Sequence, residues 1–459
     1  MIYLRKIIKI KENVCMKYVI GLLILCLLIF VHELGHFLAA KACGVYVEEF
    51  ALGMGPRIWS KISKKSGTRY SLHLIPIGGF CSMKGEGEVE DDTEEQKERM
   101  HAKDSFEQAS VWKRICIVLA GPMVNLLLGV CLAVILVSAF GQKVPKVTEV
   151  ESIASVAGLQ KGDIITEVNG TKIYSTKDLY FYDFYYRNHL PKTTNLSFLR
   201  DGEEQSISYS LHKEVRYGVG MSYGIDDFGN IVITDFLEDS VLKQAGLAVG
   251  DKITHVDGIG PTKDMDLSKY LDEHPFTEDL VSLTYVRKDK QYHATVQPKE
   301  MVFEDLGFNY KAVADKRDNV FQNTWQEMRY ESTVIMKSLS GLFTGRFKLS
   351  ELSGPVMMVD VIGSGSEELA QATTAKDVSA STEGLLSILL MLTVNLGIFN
   401  LLPIPALDGG HLAFLLLEVI RKKRIDPKKE QKIHAIGLTV LLCVSAVVII
   451  KDLWILLMK

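Results

Sequence analysis

Apolar residues crowd into four long runs along this chain, at approximately 18–40, 115–140, 385–420 and 435–457. A hydrocarbon layer of about 30 Å takes roughly 20 helical residues to cross, so each run is long enough to span a bilayer. The third is interrupted at Leu402-Pro403-Ile404-Pro405-Ala406-Leu407-Asp408-Gly409-Gly410, where two prolines and two glycines cannot continue a regular helix. Irregular backbone at membrane depth is tolerated only where protein or a water-filled cavity encloses it, which marks the break as functional. Residues 44–82 alternate apolar and polar, with Gly53, Gly55, Gly67, Gly78 and Gly79 as breakers. They predict short strands lying against the membrane, either as a structural hairpin or as an uncovered edge able to hold an unwound peptide. The acidic run over 86–98, from Glu86 through Glu90, Asp91 and Asp92 to Glu98, reads as a solvated flexible stretch.

The region between the second and third runs repeats itself. Ala157-Gly158-Leu159, Gly162-Asp163 and Asn169-Gly170 recur as Ala245-Gly246-Leu247, Gly250-Asp251 and Asp257-Gly258, each pair offset by 88 residues. Each block reads as a helix end, a Gly-Asp turn, a strand (164–168 and 252–256) and an Asn-Gly or Asp-Gly turn, so two copies of one small domain are expected. The pattern resembles PDZ domains of the bacterial protease-associated type, which implies binding of extended peptide ends by strand addition.

The resulting fold class is a multi-pass α-helical membrane protein of four spans, with a membrane-associated β region and two tandem external PDZ-like α/β domains. Its expected divisions are an N-terminal extension (1–17), span one (18–40), a cytoplasmic loop carrying the strands (41–114) and span two (115–140). Two PDZ-like domains (141–213 and 214–300) follow, then a linker with amphipathic helices (301–384). Span three (385–420), a basic cytoplasmic loop (421–434) and span four (435–457) complete the chain.

Composition agrees with this mixture: 47% of the 459 residues are hydrophobic, yet 24% are charged. A net charge of −4 leaves no basic field for nucleic acid. Seven cysteines, with no CxxC pair and none between residues 132 and 442, exclude a disulfide framework and a thiolate zinc site. Arg421, Lys422, Lys423, Arg424, Lys428, Lys429 and Lys432 in one short loop, with Lys41, Lys113 and Arg114 flanking another, place both loops in the cytoplasm and residues 141–384 outside. Arg5, Lys6, Lys9, Lys11 and Lys17 oppose that orientation, and a translation start at Met16 is expected to remove most of them.

Candidate chemistry sits inside the first span. His32-Glu33-Leu34-Gly35-His36 is an HExxH motif; on a helix its two imidazoles share one face and can grip one metal, with the carboxylate between them beside the attacking water. Ionisable side chains in an apolar span are costly and are kept for function. Catalytic zinc normally takes three protein ligands. Asp408, the only carboxylate between Glu383 and Glu418, is the leading third candidate, with His411 as its rival or as a supporting group.

With these residues in place, the chain resembles the site-2 protease family of intramembrane zinc metalloproteases (M50 type), in the two-PDZ bacterial form typified by the regulator of sigma-E protease. HELGH in the first span, Asn400 through Gly409 in the third and the repeats between spans two and three carry the resemblance, which covers nearly the whole chain after residue 16. It implies Zn2+ as cofactor, His32, His36 and Asp408 as metal ligands, Glu33 as catalytic glutamate, and Asn400 as an aid to the substrate or the developing oxyanion. Gly121-Pro122-Met123-Val124-Asn125 in span two resembles a family element for close packing. The implied activity is peptide hydrolysis in or near transmembrane segments of single-span membrane proteins after prior external cleavage, such as anti-sigma factors or remnant signal peptides. The bilayer itself is the other expected partner. A catalytically inactive, membrane-anchored PDZ scaffold is the alternative, and a transporter using the broken span for ion binding is a weaker one.

Overall fold

A computed structural model describes residues 2–86, 102–186, 189–226, 228–237, 239–262, 265–288, 290–315, 319–347 and 354–458. Most of the expected acidic run lies outside the described residues. The chain forms two compact units, one from residues up to 142 together with 314–454, the other built on 143–313.

The first unit opens with α1 (Ile2–Cys43), followed by β1 (Val47–Ile62), β2 (Arg69–Met83) and α2 (Val111–Phe140). Strands β1 and β2 are antiparallel and bend back on themselves. Phe50, for example, is partnered by both Cys81 and Tyr70, and Leu72 by both Leu52 and Trp59. The doubled pairing lays four segments side by side, with 79–83 and 59–62 outermost. Large apolar side chains stay exposed around the bend, among them Met54, Ile58, Trp59, Leu74 and Ile75. At the base of the sheet Val45, Val47 and Met83 are buried with Ala40 of α1 and Ile115 and Ile117 of α2.

The second unit begins with β3 (Lys143–Val150), α3 (Ser152–Val156), β4 (Ile164–Val168), β5 (Thr171–Lys172), α4 (Thr176–Tyr186), β6 (Thr193–Arg200) and β7 (Glu203–Ser210). After β8 (His212–Gly218) come β9 (Met221–Ile225), β10 (Ile231–Phe236), α5 (Val241–Gln244), β11 (Lys252–Val256), α6 (Leu267–Glu273), β12 (Val281–Arg287) and β13 (Lys290–Val296). Strands β14 (Lys299–Asp305) and β15 (Phe308–Ala314) close the unit.

The residues of the repeat prove to be the joints of the two copies. Arg200 pairs with Asp163 at 2.7 Å and donates to the Gly158 carbonyl at 2.7 Å; Arg287 does the same to Asp251 at 2.6 Å and Gly246 at 2.9 Å. Asn169 (φ +48°) accepts from the Asn195 N–H, and Asp257 (φ +49°) from the Ser282 N–H. Asn and Asp tolerate this left-handed turn because a short polar side chain can bond locally. Each copy has its own core, around Leu159, Ile165, Leu196 and Phe198 in the first and Leu242, Ile253, Leu267 and Leu283 in the second.

The division between the copies is not the tandem one that was expected. The first sheet runs β15-β3-β4-β6-β7, so its outer strand comes from beyond the second copy, while β8 pairs with β14. Strands β14 and β15 occupy 299–305 and 308–314, so the segment from 301, expected to begin a linker, is mostly strand. The second copy is therefore inserted into the first, a long-range pairing that local alternation does not reveal.

The chain returns to the first unit through α7 (Val320–Phe343), α8 (Pro355–Gln371), α9 (Ala375–Leu401), α10 (Asp408–Arg421) and α11 (Pro427–Met458). Among the described residues four helices are long and apolar enough to cross a membrane: Met16–Cys43, Val111–Phe140, Ala375–Leu401 and Lys428–Leu453. The third begins ten residues before the expected 385, because Thr374 and Asp377 form a reciprocal capping box that starts the helix in a polar stretch. It ends at the expected break, and α10 begins afresh at Asp408.

Candidate active site

Helices α1 and α2 touch where two glycines remove side-chain bulk. A Cβ at Gly35 would lie 2.5 Å from the Ala120 carbonyl oxygen, and one at Gly121 would lie 2.2 Å from His36 Nε2. This contact brings His36 Nδ1 within 2.9 Å of the Ile117 carbonyl, to which it donates. The bond fixes the proton on Nδ1 and leaves a lone pair on Nε2, the tautomer a metal ligand needs. His32, one turn earlier, has its Nδ1 3.2 Å from the buried amide of Asn125 on α2. Turning that amide by 180° puts its otherwise unpartnered Oδ1 against His32 Nδ1. His32 then also presents a bare Nε2.

The third group arrives from the broken span. After α9 ends at Leu401 the chain turns through 402–407 and restarts as α10, with Asp408 in its first turn. Gly409 and Gly410 allow the return, since a Cβ on either would lie 2.1 Å from the Leu402 oxygen or 2.6 Å from the Ile404 oxygen. Asp408 Oδ2 lies 3.0 Å from His32 Nε2 and 3.3 Å from His36 Nε2, and the two nitrogens are 3.2 Å apart. Three ligands at about 2.0–2.1 Å from a tetrahedral zinc stand roughly 3.3 Å from one another. Oδ2 is buried yet makes no well-directed hydrogen bond to either ring, as expected when three lone pairs aim at a common point. The donor set and spacing therefore fit zinc.

Glu33 lines the same cavity, of about 390 Å3, and is hydrogen-bonded to the Cys81 backbone in the outer segment of β2. Burial pushes the Cys81 thiol up, with the charges of Glu86 and Glu33 adding to the effect. Asn400, in the last turn of α9, has its amide 3.5 Å from His32 Nε2. The structure thus brings together His32, Glu33, His36, Asn400 and Asp408. His411 stands apart from this group, with Nδ1 3.3 Å from Glu430 and its ring stacked on His434 at 3.8 Å. Sequence reasoning treated Asn125 only as part of a packing element. An amide buried in an apolar helix was the signal that it meets a polar partner.

An HExxH pair completed by an aspartate, set in helices apolar enough for a bilayer, defines a membrane metalloprotease. The profile of Peptidase family M50 matches residues 20–444, and the chain belongs to that family. It is similar to zinc metalloprotease RasP of Geobacillus kaustophilus, at 28% identity over 93% of this chain and 95% of that one. A Vibrio cholerae chain that bears the name zinc metalloprotease is 28% identical over 96% and 99% of the two chains. The Enterococcus faecalis protease Eep is 28% identical over 93% and 96%. Among solved structures, an HtrA-type protease with a decapeptide aligns over 31% of this chain and 51% of that one at 13% identity and a TM-score of 0.19, too slight a likeness to argue from. The chain is a zinc metalloprotease with apolar helices suited to a membrane.

Proposed function

We propose that the protein hydrolyses peptide bonds in or near the transmembrane segments of single-span membrane proteins, as a site-2 protease. The observation that carries the reading is the meeting of His32, His36 and Asp408 within 3.3 Å of one another, contributed by an apolar span and by the break in another. These three residues would hold the zinc, which when bound supplies a Lewis acid to polarise the scissile carbonyl. Glu33 takes the proton of the attacking water and returns it to the leaving amine. Asn400 donates its amide hydrogen to the developing oxyanion. A peptide bond sealed in a helix is not open to attack, so the substrate unwinds locally, and the outer segment 79–83 beside Glu33 offers it backbone partners.

The repeats act as PDZ-like domains outside the membrane that select clipped substrates, while the basic loop at 421–434 keeps the zinc side cytoplasmic. Anti-sigma factors and remnant signal peptides are the substrate classes this reading favours. The test is Glu33→Gln in the full-length protein with a transmembrane reporter: zinc is retained and cleavage is lost. Full activity in that variant removes the Glu33 assignment, whereas wild-type protein that holds no metal and cleaves nothing leaves the inactive-scaffold reading.

A further inference from the structure

The loop that delivers Asp408 is held from outside the zinc group, by α11. Ala406, two residues before Asp408, has φ of +79°, a region that residues with side chains rarely occupy. Its N–H donates to His434 Nδ1 at 2.9 Å. One turn further along α11, a Cβ at Gly437 would lie 2.4 Å from Pro405 Cβ and 2.8 Å from the Pro405 oxygen, so the helix rests directly on the loop. On the other side Gly410 closes against Ile404 and Pro405.

His411, Glu430 and His434 offer ligand atoms within 4.8 Å of one another, an arrangement that invites a second metal. The tautomer of His434 argues otherwise. A backbone N–H can only donate, so Nδ1 must keep its lone pair, and a neutral ring then carries its proton on Nε2. That nitrogen faces Glu430 Oε1 at 4.0 Å and has no lone pair to give. Unlike the amide beside His32, a peptide N–H cannot be turned round.

We infer that His434 is a positioning residue for Asp408: its Nδ1 anchors the strained Ala406 peptide, with Gly437 as the seat, so that the carboxylate reaches His32 and His36. This rests on the reading that Asp408 is a zinc ligand. The role requires an acceptor at the Nδ1 place. Asparagine supplies one there, glutamine carries its oxygen one bond too far, and leucine has none.

The experiment measures zinc affinity of full-length protein in detergent by competition with a chromophoric chelator, and kcat and KM on a transmembrane reporter. His434→Leu and His434→Gln are expected to bind zinc about 10–100-fold more weakly, the usual penalty for losing a group that orients a ligand. Their kcat falls with KM little changed, while His434→Asn keeps both near wild type. Wild-type affinity in the Leu and Gln variants, or an Asn variant as weak as they are, overturns the inference. So does a second zinc per chain that disappears with His434. His32→Ala separates the two readings. If it binds zinc like wild type, the ligand assignment itself is wrong; if it alone loses zinc, only the role of His434 falls.

Discussion

Adding one methyl group at Gly121 tests whether the zinc group depends on the α1–α2 contact. An alanine Cβ there would stand 2.2 Å from His36 Nε2, 2.6 Å from Cε1 and 2.8 Å from Cδ2, against an ordinary contact of 3.4 Å. The ring must retreat by about 1 Å, whereas ligand distances in a metal site hold to within ~0.2 Å. Parting the helices instead would open the close packing of Gly35 on the Ala120 carbonyl next door and carry His36 away from Asp408. Overpacking of this kind costs about 1–3 kcal/mol, which corresponds to roughly 5–150-fold in affinity at 1.4 kcal/mol per decade. Gly121→Ala should therefore lower zinc affinity into that range and cleavage by at least as much. Gly129→Ala, on the same helix, crowds the buried Val394 Cγ2 methyl at 2.7 Å and touches Met328 rather than a histidine, so it should cost stability by overpacking yet keep its zinc. The assay is chelator competition on both purified variants alongside cleavage of a transmembrane reporter. Equal zinc affinity and activity in Gly121→Ala and wild type would refute the argument.

Three other outcomes follow from contacts already described. Asn125→Ala frees His32 Nδ1 and should weaken zinc binding and cleavage by about 10–100-fold; unchanged chelator competition would show that the amide does not orient the ring. Stripping the metal with a strong chelator should abolish cleavage and restoring zinc should recover it, so cleavage that persists after metal analysis reads zero contradicts the mechanism. Arg287→Ala leaves the Asp251 carboxylate, 2% exposed, without its cation. The cost should fall at or below the low end of ~3–5 kcal/mol, because the arginine itself is partly solvated. Hydrogen exchange in the full chain should then quicken across 231–296 and stay unchanged across 143–210; uniform exchange would deny the two copies separate cores.

What was legible in the sequence was set by constraints that act locally. A bilayer demands long apolar runs, a metal demands HExxH spacing on one helix face, and Asp408 is the one carboxylate between Glu383 and Glu418, at the break of a span; the structure brings it to 3.0 Å from His32. The offset of 88 residues betrayed the repeat because Gly-Asp and Asn-Gly turns are dictated by backbone conformation. What escaped detection depends on distant pairing. Nothing in 299–314 says that these residues join β8 and the first sheet, because strand partners are chosen by tertiary contact rather than by local pattern. Asn125 and His434 escaped for a related reason. Asn125 is a single polar residue in an apolar stretch and His434 follows the charged first turns of its helix, but the partner of each, His32 or the Ala406 peptide, lies on another element.

Gly218 and Lys299 face each other across the β8–β14 pair, so everything from 219 to 298 departs and comes back through one doorway. That segment is a cassette: it can be lengthened, exchanged or cut out by a single splice, and the host sheet loses no strand. Any load placed on it reaches the remaining chain through two neighbouring peptides instead of through opposite ends of a string of beads.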